Sequence, residues 1–421
     1  MPGRSPRPAP SRAGAALGAA LPSIPPAAGQ GAPVCPAGRQ GPKSCNMLEA
    51  IGVTPCRAWG RERTAARAPP AREATPPLPR AAAALRARGA RRRPKPPRAP
   101  LALQLFTDGI TNKLVACYTD EDMADAVLVR VYGRKTELFV DRETELKNFQ
   151  VLQAHGCAPD LYCAFQNGLC YEFVPGIALG PDHVRDPCIF RLVAQEMARV
   201  HAIHANGSIA KPILWQKLHK YLALVKMDLM IPPPFFFPSL HPDVPSLEVL
   251  EHELAWMKET LSQLGSPVVL CHNDLLCKNI IYNSTEEHVR FIDYEYTGYN
   301  YQAFDIGNHF NEFAGVKEVD YRLYPSKEIQ LQWLRSYLQA YKQLTQEDQG
   351  GRGAVVSEKE LETLYVQVNK FSLASHFLWA CWGLIQDKYS TIDFNFLRYA
   401  KLRFKQYFKM KPVVTALQIS K

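Results

Sequence analysis

The residues best suited to chemistry lie in one short segment near the middle of the chain. Residues 272–279 have the order His-Asn-Asp-Leu-Leu-Cys-Lys-Asn, which places Asn279 five positions after Asp274. Phosphoryl transfer needs a carboxylate near the acceptor hydroxyl and an oxygen ligand for a metal ion beside the nucleotide phosphates. A short loop after a strand can direct both side chains into one cleft. We therefore predict that Asp274 orients or deprotonates a hydroxyl and that Asn279 binds a metal ion.

A second acidic segment follows at a suitable distance. The run Val-Arg-Phe-Ile-Asp-Tyr-Glu at 289–295 places Asp293 19 residues after Asp274. In an extended chain Asp293 and Glu295 point to the same side, so both could face one cation. Magnesium prefers such oxygen ligands together with several waters. Asp293 is therefore predicted to bind the metal, and a strand-end carboxylate that caps a turn is the structural alternative.

Three histidines invite a functional role but favour a structural one. His272 precedes the loop aspartate, and we predict that it orients the loop. His201 and His204 lie at the end of a predicted helix, without a third ligand at a spacing that suits a metal ion. We predict that both are structural.

Hydrophobic periodicity predicts the elements that position these residues. In 101–175 it predicts strands at 103–106, 114–118, 126–132, 161–165 and 170–173, with one helix at 143–154. Beyond Gly176 it predicts helices at 187–203, 246–264, 326–342, 357–386 and 394–408. Two short strands, 268–271 and 289–292, lie on either side of the catalytic segment. Prolines in 231–238 predict a loop. The order indicates an α+β fold, with a small antiparallel sheet followed by a larger helical part.

The first hundred residues differ in composition from the rest of the chain. They hold 18 of the 50 Lys and Arg residues, 3 of the 40 Asp and Glu residues and 20 of the 34 prolines. Their net charge is therefore +15, whereas 101–421 carries −5. Few large apolar side chains are present to offset the entropy lost on folding, so we predict a disordered tail. Because the positive charge belongs to this tail, the overall charge does not indicate nucleic-acid binding.

Cysteine spacing and hydropathy bound the cellular setting. The 11 cysteines are irregularly spaced, which predicts free thiols in a reducing compartment. No apolar run reaches the roughly 18 residues that a membrane span requires. We predict a cytoplasmic protein without a transmembrane segment and leave its oligomeric state open. An organellar transit peptide is the alternative for the Arg-rich tail, although its prolines disfavour the helix that such peptides need.

Three longer segments resemble the choline/ethanolamine kinase family, and within it the ethanolamine kinases. They are HNDLLCKNIIYN from residue 272, FIDYEYTGYNYQAFDIGNHFNEFAG from residue 291 and ASHFLWACWGLIQDKYSTIDF from residue 374. The resemblance implies a protein-kinase-like bilobal fold, with the tail at 1–100, an N-lobe at 101–175 and a C-lobe at 176–421. It also implies phosphorylation of ethanolamine by ATP and Mg²⁺, the committing step towards phosphatidylethanolamine.

The same resemblance implies roles for individual residues. It makes Asp274 the catalytic aspartate, Asn279 and Asp293 the magnesium ligands, and His272, Glu295 and Asp305 their structural support. For ATP it implies a phosphate contact by Arg130, a helix partner Glu145, a phosphate-covering turn that ends at Asn112 and a hinge that contains Glu172. For ethanolamine it implies an aromatic wall of Trp379, Trp382, Tyr296 and Tyr399, with Glu312 as the acidic partner.

Physical chemistry supports an aromatic site for a small ammonium ion, because aromatic faces attract cations. Trp379 and Trp382 are three apart, hence on one face of a helix. Without the resemblance, a simple core role for both tryptophans would be the better interpretation. Alternative functions are a choline or dual-specificity kinase, a catalytically weak form caused by the atypical N-terminus, and a tail that binds anionic membranes or nucleic acid.

Overall fold

A computed structural model describes residues 101–106, 112–119, 123, 125–204, 211–229, 243–346 and 355–419. The predicted tail 1–100, the turn 108–112 except its last residue, and the predicted loop 231–238 lie outside the described residues. None of the described helices is long and apolar enough to span a membrane.

A five-stranded antiparallel sheet forms the small lobe, with the strand order β1-β2-β3-β5-β4. The strands are β1 Ala102–Phe106, β2 Lys113–Tyr118, β3 Val127–Val131, β4 Leu161–Phe165 and β5 Gly168–Glu172. Helix α1, Arg142–Ala154, buries Phe149 and Leu152. It begins at Asp141, whose carboxylate accepts a hydrogen bond from the Thr144 amide at 2.7 Å and so caps the helix. Every element predicted for this part forms, with ends shifted by at most two residues.

Helices build the larger lobe. They are α2 Pro187–His201, α3 Leu214–Leu229, α4 Leu247–Ser262, α5 Gln302–Glu312, α6 Lys327–Gln346, α7 Glu358–Tyr389 and α8 Phe396–Thr415. Two small antiparallel sheets accompany them: β7 Val268–Cys271 pairs with β10 Gly298–Tyr301, and β8 Ile280–Asn283 lies between β6 Ile177–Ala178 and β9 His288–Phe291. The predicted α+β class, with a small sheet lobe and a mainly helical lobe, is confirmed.

The sequence prediction missed two helices and three short strands. In α5 the residues Ala303, Ile306 and Phe310 have helical spacing, but every residue of the helix is buried, so its polar side chains do not mark a face towards solvent. In α3 the signal was present, because Leu214, Leu218, Tyr221 and Leu222 have helical spacing and are buried. The strands β6, β8 and β10 have two to four residues, which is too short for a clear alternation.

Close packing of α5 on α7 places the site residues of the two helices next to each other. A Cβ atom on Gly307 would lie 2.7 Å from the carbonyl oxygen of Val368. Only glycine therefore allows the backbones of α5 and α7 to approach this closely. The 32-residue α7 is fixed at its start by a capping box between Ser357 and Glu360.

Candidate active site

The loop after β7 is held in place by a buried carboxylate of α5. Asp305 is 0% exposed, and it accepts hydrogen bonds from the backbone amides of His272 at 2.8 Å and Asn273 at 2.7 Å. His201 of α2 donates to the same carboxylate from Nε2 at 3.0 Å. Burial by itself raises the pKa of Asp305, but these hydrogen bonds and the neighbouring histidines bring it below the usual value. Asp305 thus connects the loop to two helices.

His272 and His201 lie in hydrogen-bonded positions next to the loop, and their structural role stays a prediction. His272 accepts a hydrogen bond from the Asp274 amide at Nδ1, 3.3 Å, and its Nε2 donates to the Ile292 carbonyl at 3.0 Å. Cys271 lies close to His201 and Asp305, but this carboxylate already accepts two amide hydrogen bonds. We therefore interpret this buried cluster as a brace rather than a metal site.

Asn273 fixes the direction of the loop, and sequence reasoning missed it. Its φ of 66° lies in the left-handed region, which asparagine adopts at a lower cost than most residues. Its side-chain nitrogen lies 3.0–3.3 Å from the carbonyl oxygens of three residues: Cys271, Tyr296 and Gly298. The short polar side chain beside the loop aspartate was the available signal.

Asp274 lies half-buried at the end of this loop. Its pKa is raised well above the usual value, mainly by burial and further by the negative charges of Asp293, Glu295 and Glu312, while Lys217 opposes the shift. Asn279 donates from its side-chain nitrogen to the backbone carbonyl of Asp274 at 2.9 Å. Asn279 is therefore joined to Asp274 through the backbone of the loop, not through the Asp274 carboxylate.

Asp293 and Glu295 do not follow the extended geometry that the sequence suggested. Strand β9 ends at Phe291, and Asp293 has a φ of 64°, so the alternation of an extended strand does not apply. Asp293 forms an ion pair with Arg130. Glu295 is 5% exposed, and its Oε2 accepts hydrogen bonds from the small-lobe side chains of Asn112 at 3.0 Å and Arg142 at 3.2 Å. Glu295 therefore connects the two lobes, instead of lying side by side with Asp293 as an extended strand would place it.

Three of the four predicted ATP-site residues come together. Arg130 of β3 and Glu145 of α1 form a buried ion pair, with exposed fractions of 3% and 1%. Asn112 accepts a hydrogen bond from the Gly133 amide at 3.2 Å, next to the same strand. Glu172 lies at the end of β5, where it accepts a hydrogen bond from the Asp160 amide at 3.1 Å.

The four predicted aromatic residues form one cluster beside the catalytic loop. Ring centroids are 5.3 Å apart for Tyr296 and Trp379, 5.5 Å for Trp379 and Trp382, and 6.2 Å for Trp382 and Tyr399. Trp382 donates to the Tyr296 hydroxyl at 3.1 Å. Asn308 of α5 accepts a hydrogen bond from Trp379 at 2.7 Å and donates to the Asn273 carbonyl at 3.4 Å. Asn308, which sequence reasoning missed, therefore links the cluster to the loop.

Glu312 is already paired with a cation of the protein. It is 3% exposed and forms an ion pair with Arg403, which is 2% exposed. The Arg403 guanidinium lies 5.1 Å from the Tyr399 ring centroid, and its Nε donates to the Tyr399 hydroxyl at 3.1 Å. The sequence gave no reason to select Arg403, although it lies one helical turn after Tyr399. Because the charge of Glu312 is already paired with Arg403, a cation that enters the cluster interacts mainly with the aromatic faces.

A small antiparallel lobe and a helical lobe that meet at a loop aspartate, an amide and a second aspartate define a phosphotransferase with a protein-kinase-like fold. The choline/ethanolamine kinase family model matches residues 103–408. The chain belongs to this family, and the resemblance noted in the sequence is confirmed.

Individual relatives agree with this assignment. Ethanolamine kinase 2 of Homo sapiens is 67% identical over 316 residues, which cover 75% of this chain and 78% of that protein. The ethanolamine kinase of Drosophila melanogaster is 40% identical over 382 residues, with 76% and 71% covered. A solved Plasmodium vivax ethanolamine kinase has a TM-score of 0.66 at 28% identity, with 76% of this chain and 84% of that chain covered.

Proposed function

We propose that the protein transfers the γ-phosphoryl group of ATP to the hydroxyl of ethanolamine, with phosphoethanolamine and ADP as products. The observation that carries this proposal is that the loop of Asp274 lies beside a cluster of buried aromatic residues, to which Asn308 links it. A carboxylate next to such a cluster suits an acceptor that has a hydroxyl at one end and an ammonium at the other. The relatives named as ethanolamine kinases support the same acceptor. The product would serve phosphatidylethanolamine synthesis.

The reaction follows from the placement of the charged groups. Asp274 orients the acceptor hydroxyl and accepts its proton while the hydroxyl oxygen bonds to the γ-phosphorus and the bond to the β-phosphate oxygen breaks. Burial and acidic neighbours raise the pKa of Asp274, which makes its carboxylate a stronger base than an exposed aspartate. Arg130, fixed by Glu145, is the proposed phosphate contact. Asn112 and Glu172 are proposed to contact ATP in the covering turn and the hinge.

The donor set at the junction fits Mg²⁺. The side-chain nitrogen of Asn279 is used by the Asp274 carbonyl, which leaves its oxygen as the ligand atom, and the Asp293 side chain is 29% exposed. Carboxylate and amide oxygens are the ligands that Mg²⁺ prefers. We propose that Asn279 and Asp293 hold Mg²⁺, which would neutralise charge on the ATP phosphates. Glu295 and His272 support these two residues.

Replacing Asp293 by asparagine is expected to weaken metal binding by at least about 10-fold, because a charged ligand becomes neutral. The Mn²⁺ affinity measured by electron paramagnetic resonance and the Mg²⁺ concentration for half-maximal rate should both shift. Asp393→Asn removes an exposed carboxylate and should shift neither quantity. An unchanged Mn²⁺ affinity in Asp293→Asn would refute the assignment.

The aromatic cluster provides a second test. Trp379→Leu is expected to raise the KM for ethanolamine by about 2–30-fold, since one aromatic face contributes roughly 0.5–2 kcal/mol to the binding of a cation. Trp379→Phe keeps an aromatic face, although it is smaller and lacks the hydrogen bond to Asn308, so its KM should rise less. Steady-state kinetics at saturating ATP measures both, and equal KM values for the two variants would argue against a cation contact.

The proposed activity itself is tested by transfer of radiolabelled phosphate from ATP to ethanolamine, with choline as the competing acceptor. Label in phosphoethanolamine is expected, and a folded protein that labels neither acceptor would refute the proposal. We also propose a cytoplasmic location, which the free thiols of the described cysteines support.

A further inference from the structure

A lysine of the protein lies against the proposed acceptor site. Lys217 is in the first turn of α3, whose start is attached to β10 by a hydrogen bond from the Ile213 amide to the Tyr299 carbonyl at 2.9 Å. The Lys217 ammonium lies 4.7 Å from the centroid of the Tyr296 ring. Tyr296 is also in contact with Trp379. The chain's own cation therefore already lies on one ring of the aromatic cluster.

The surroundings of Lys217 match those proposed for the substrate ammonium. Burial lowers the pKa of Lys217 to about 8, while the charges of Asp274 and Glu295 act in the opposite direction. By contrast, Lys278, the lysine within the loop after β7, is exposed to solvent. Of the charged groups that most strongly influence the pKa of Asp274, Lys217 is the one cation, and it acts to lower that pKa. The half-buried side chain therefore takes part in the electrostatics of the site.

One helical turn after Lys217, the same face of α3 carries an aromatic residue that also packs near the cluster. Tyr221 is 1% exposed, and its ring lies 5.5 Å from that of Phe139, which in turn lies 6.3 Å from Trp382. Lys217 and Tyr221 are four residues apart and so share a face. Helix α3 thus packs beside the aromatic cluster, with Lys217 at the Tyr296 ring and Tyr221 at the Phe139 ring.

We propose that Lys217 is a specificity-determining residue, whose side chain occupies part of the Tyr296 face and so favours a primary ammonium acceptor over a quaternary one. This inference rests on the proposed function. A trimethylammonium group cannot donate hydrogen bonds, so it depends on wide contact with aromatic faces. A primary ammonium is smaller, so it needs less of this aromatic surface and can add hydrogen bonds to oxygen acceptors. The charge of Lys217 acts equally on both acceptors, so the discrimination comes from the space that the side chain fills.

A methylation series of acceptors measures this discrimination directly. For the full-length protein, kcat/KM is determined with ethanolamine, its N-methyl and N,N-dimethyl derivatives, and choline. We expect kcat/KM of the wild type to fall with each added methyl group. Lys217→Ala should raise the choline-to-ethanolamine ratio by about 10-fold or more, in the range by which a pocket discriminates against an added methyl group. Lys217→Met keeps the side-chain length without the charge, and its ratio should stay close to that of the wild type.

Controls separate this role from a general one. Lys220 is an exposed lysine of the same helix whose charge also acts on Lys217, and Lys220→Ala should leave the choline-to-ethanolamine ratio unchanged. Lys217→Ser is a second short variant for the case that Lys217→Ala does not fold. A ratio within about twofold of the wild type in the folded short variant would overturn the inference, as would an equal rise in Lys217→Met. Wild-type protein that turns over no acceptor in the series would instead refute the proposed function.

Discussion

Replacing Asp274 by asparagine is expected to lower kcat for ethanolamine by about 10²–10⁴-fold, with little change in the KM for ATP. The carboxylate acts on the acceptor hydroxyl, whereas the proposed ATP contacts come from Arg130 and the small lobe. Asparagine keeps the shape of the side chain and cannot accept the proton. Steady-state kinetics with both substrates varied separates the two parameters.

Stability is expected to change in the opposite direction in the same variant. Burial and the neighbouring acids raise the pKa of Asp274, so its charged form is disfavoured by folding at neutral pH. The neutral asparagine removes this cost, and the melting temperature of Asp274→Asn should equal or exceed that of the wild type. Asp182→Asn, at an exposed position, should change neither kcat nor melting temperature. A normal kcat in Asp274→Asn would exclude Asp274 as the base.

The small lobe was predictable from sequence because its strands are short apolar runs rich in β-branched and aromatic residues, separated by polar turns. In β3 the run Val127–Val131 is rich in β-branched residues and apolar except for Arg130, and Gly133 follows shortly after its end. Helix α5 shows the limit of this reasoning. It carries Asp305, Asn308 and Glu312 on buried faces, where tertiary partners rather than solvent satisfy them. Periodicity assumes that polar side chains face water, so it fails where a helix builds a site.

The candidate site likewise contains residues that a local motif reveals and residues that only tertiary packing brings together. The loop spacing from Asp274 to Asn279 is local, and a local motif is visible in a single sequence. The partners Lys217 and Arg403 come from helices far from that loop in sequence, and only the packing of α3 and α8 brings them to the aromatic cluster. No spacing rule connects such residues. Their positions also change the chemistry, since both cations lie against aromatic rings that the sequence assigned to the substrate.

Replacing Asp305 by asparagine is expected to lower the free energy of unfolding by about 3–5 kcal/mol. The amide would present N–H groups to the backbone N–H of His272 or Asn273, which lose a charged acceptor in a fully buried position. A displaced loop would also lower kcat, by about 10²-fold for a shift of roughly 1 Å. Urea unfolding followed by tryptophan fluorescence and steady-state kinetics measure the two effects.

The pH dependence of Asp305→Asn supports the same assignment with a defined sign. Because the folded pKa of Asp305 lies below its ordinary value of 3.8, its contribution to stability is present above that value and is lost as the pH falls through the folded pKa. The stability difference between wild type and Asp305→Asn should therefore narrow in acid.

A double-mutant cycle identifies the bond responsible for this stabilisation. His201→Gln weakens the hydrogen bond between His201 and the Asp305 carboxylate. The effects of the two substitutions on the free energy of unfolding should therefore be non-additive by about 0.5–3 kcal/mol. Additive effects would mean that His201 and Asp305 stabilise the lobe independently. An Asp305→Asn protein with unchanged stability and unchanged kcat would show that the backbone alone holds the loop. Among the described contacts, the Asp305 carboxylate is the only charged acceptor of the two loop amides, so the loop geometry would then have survived its loss.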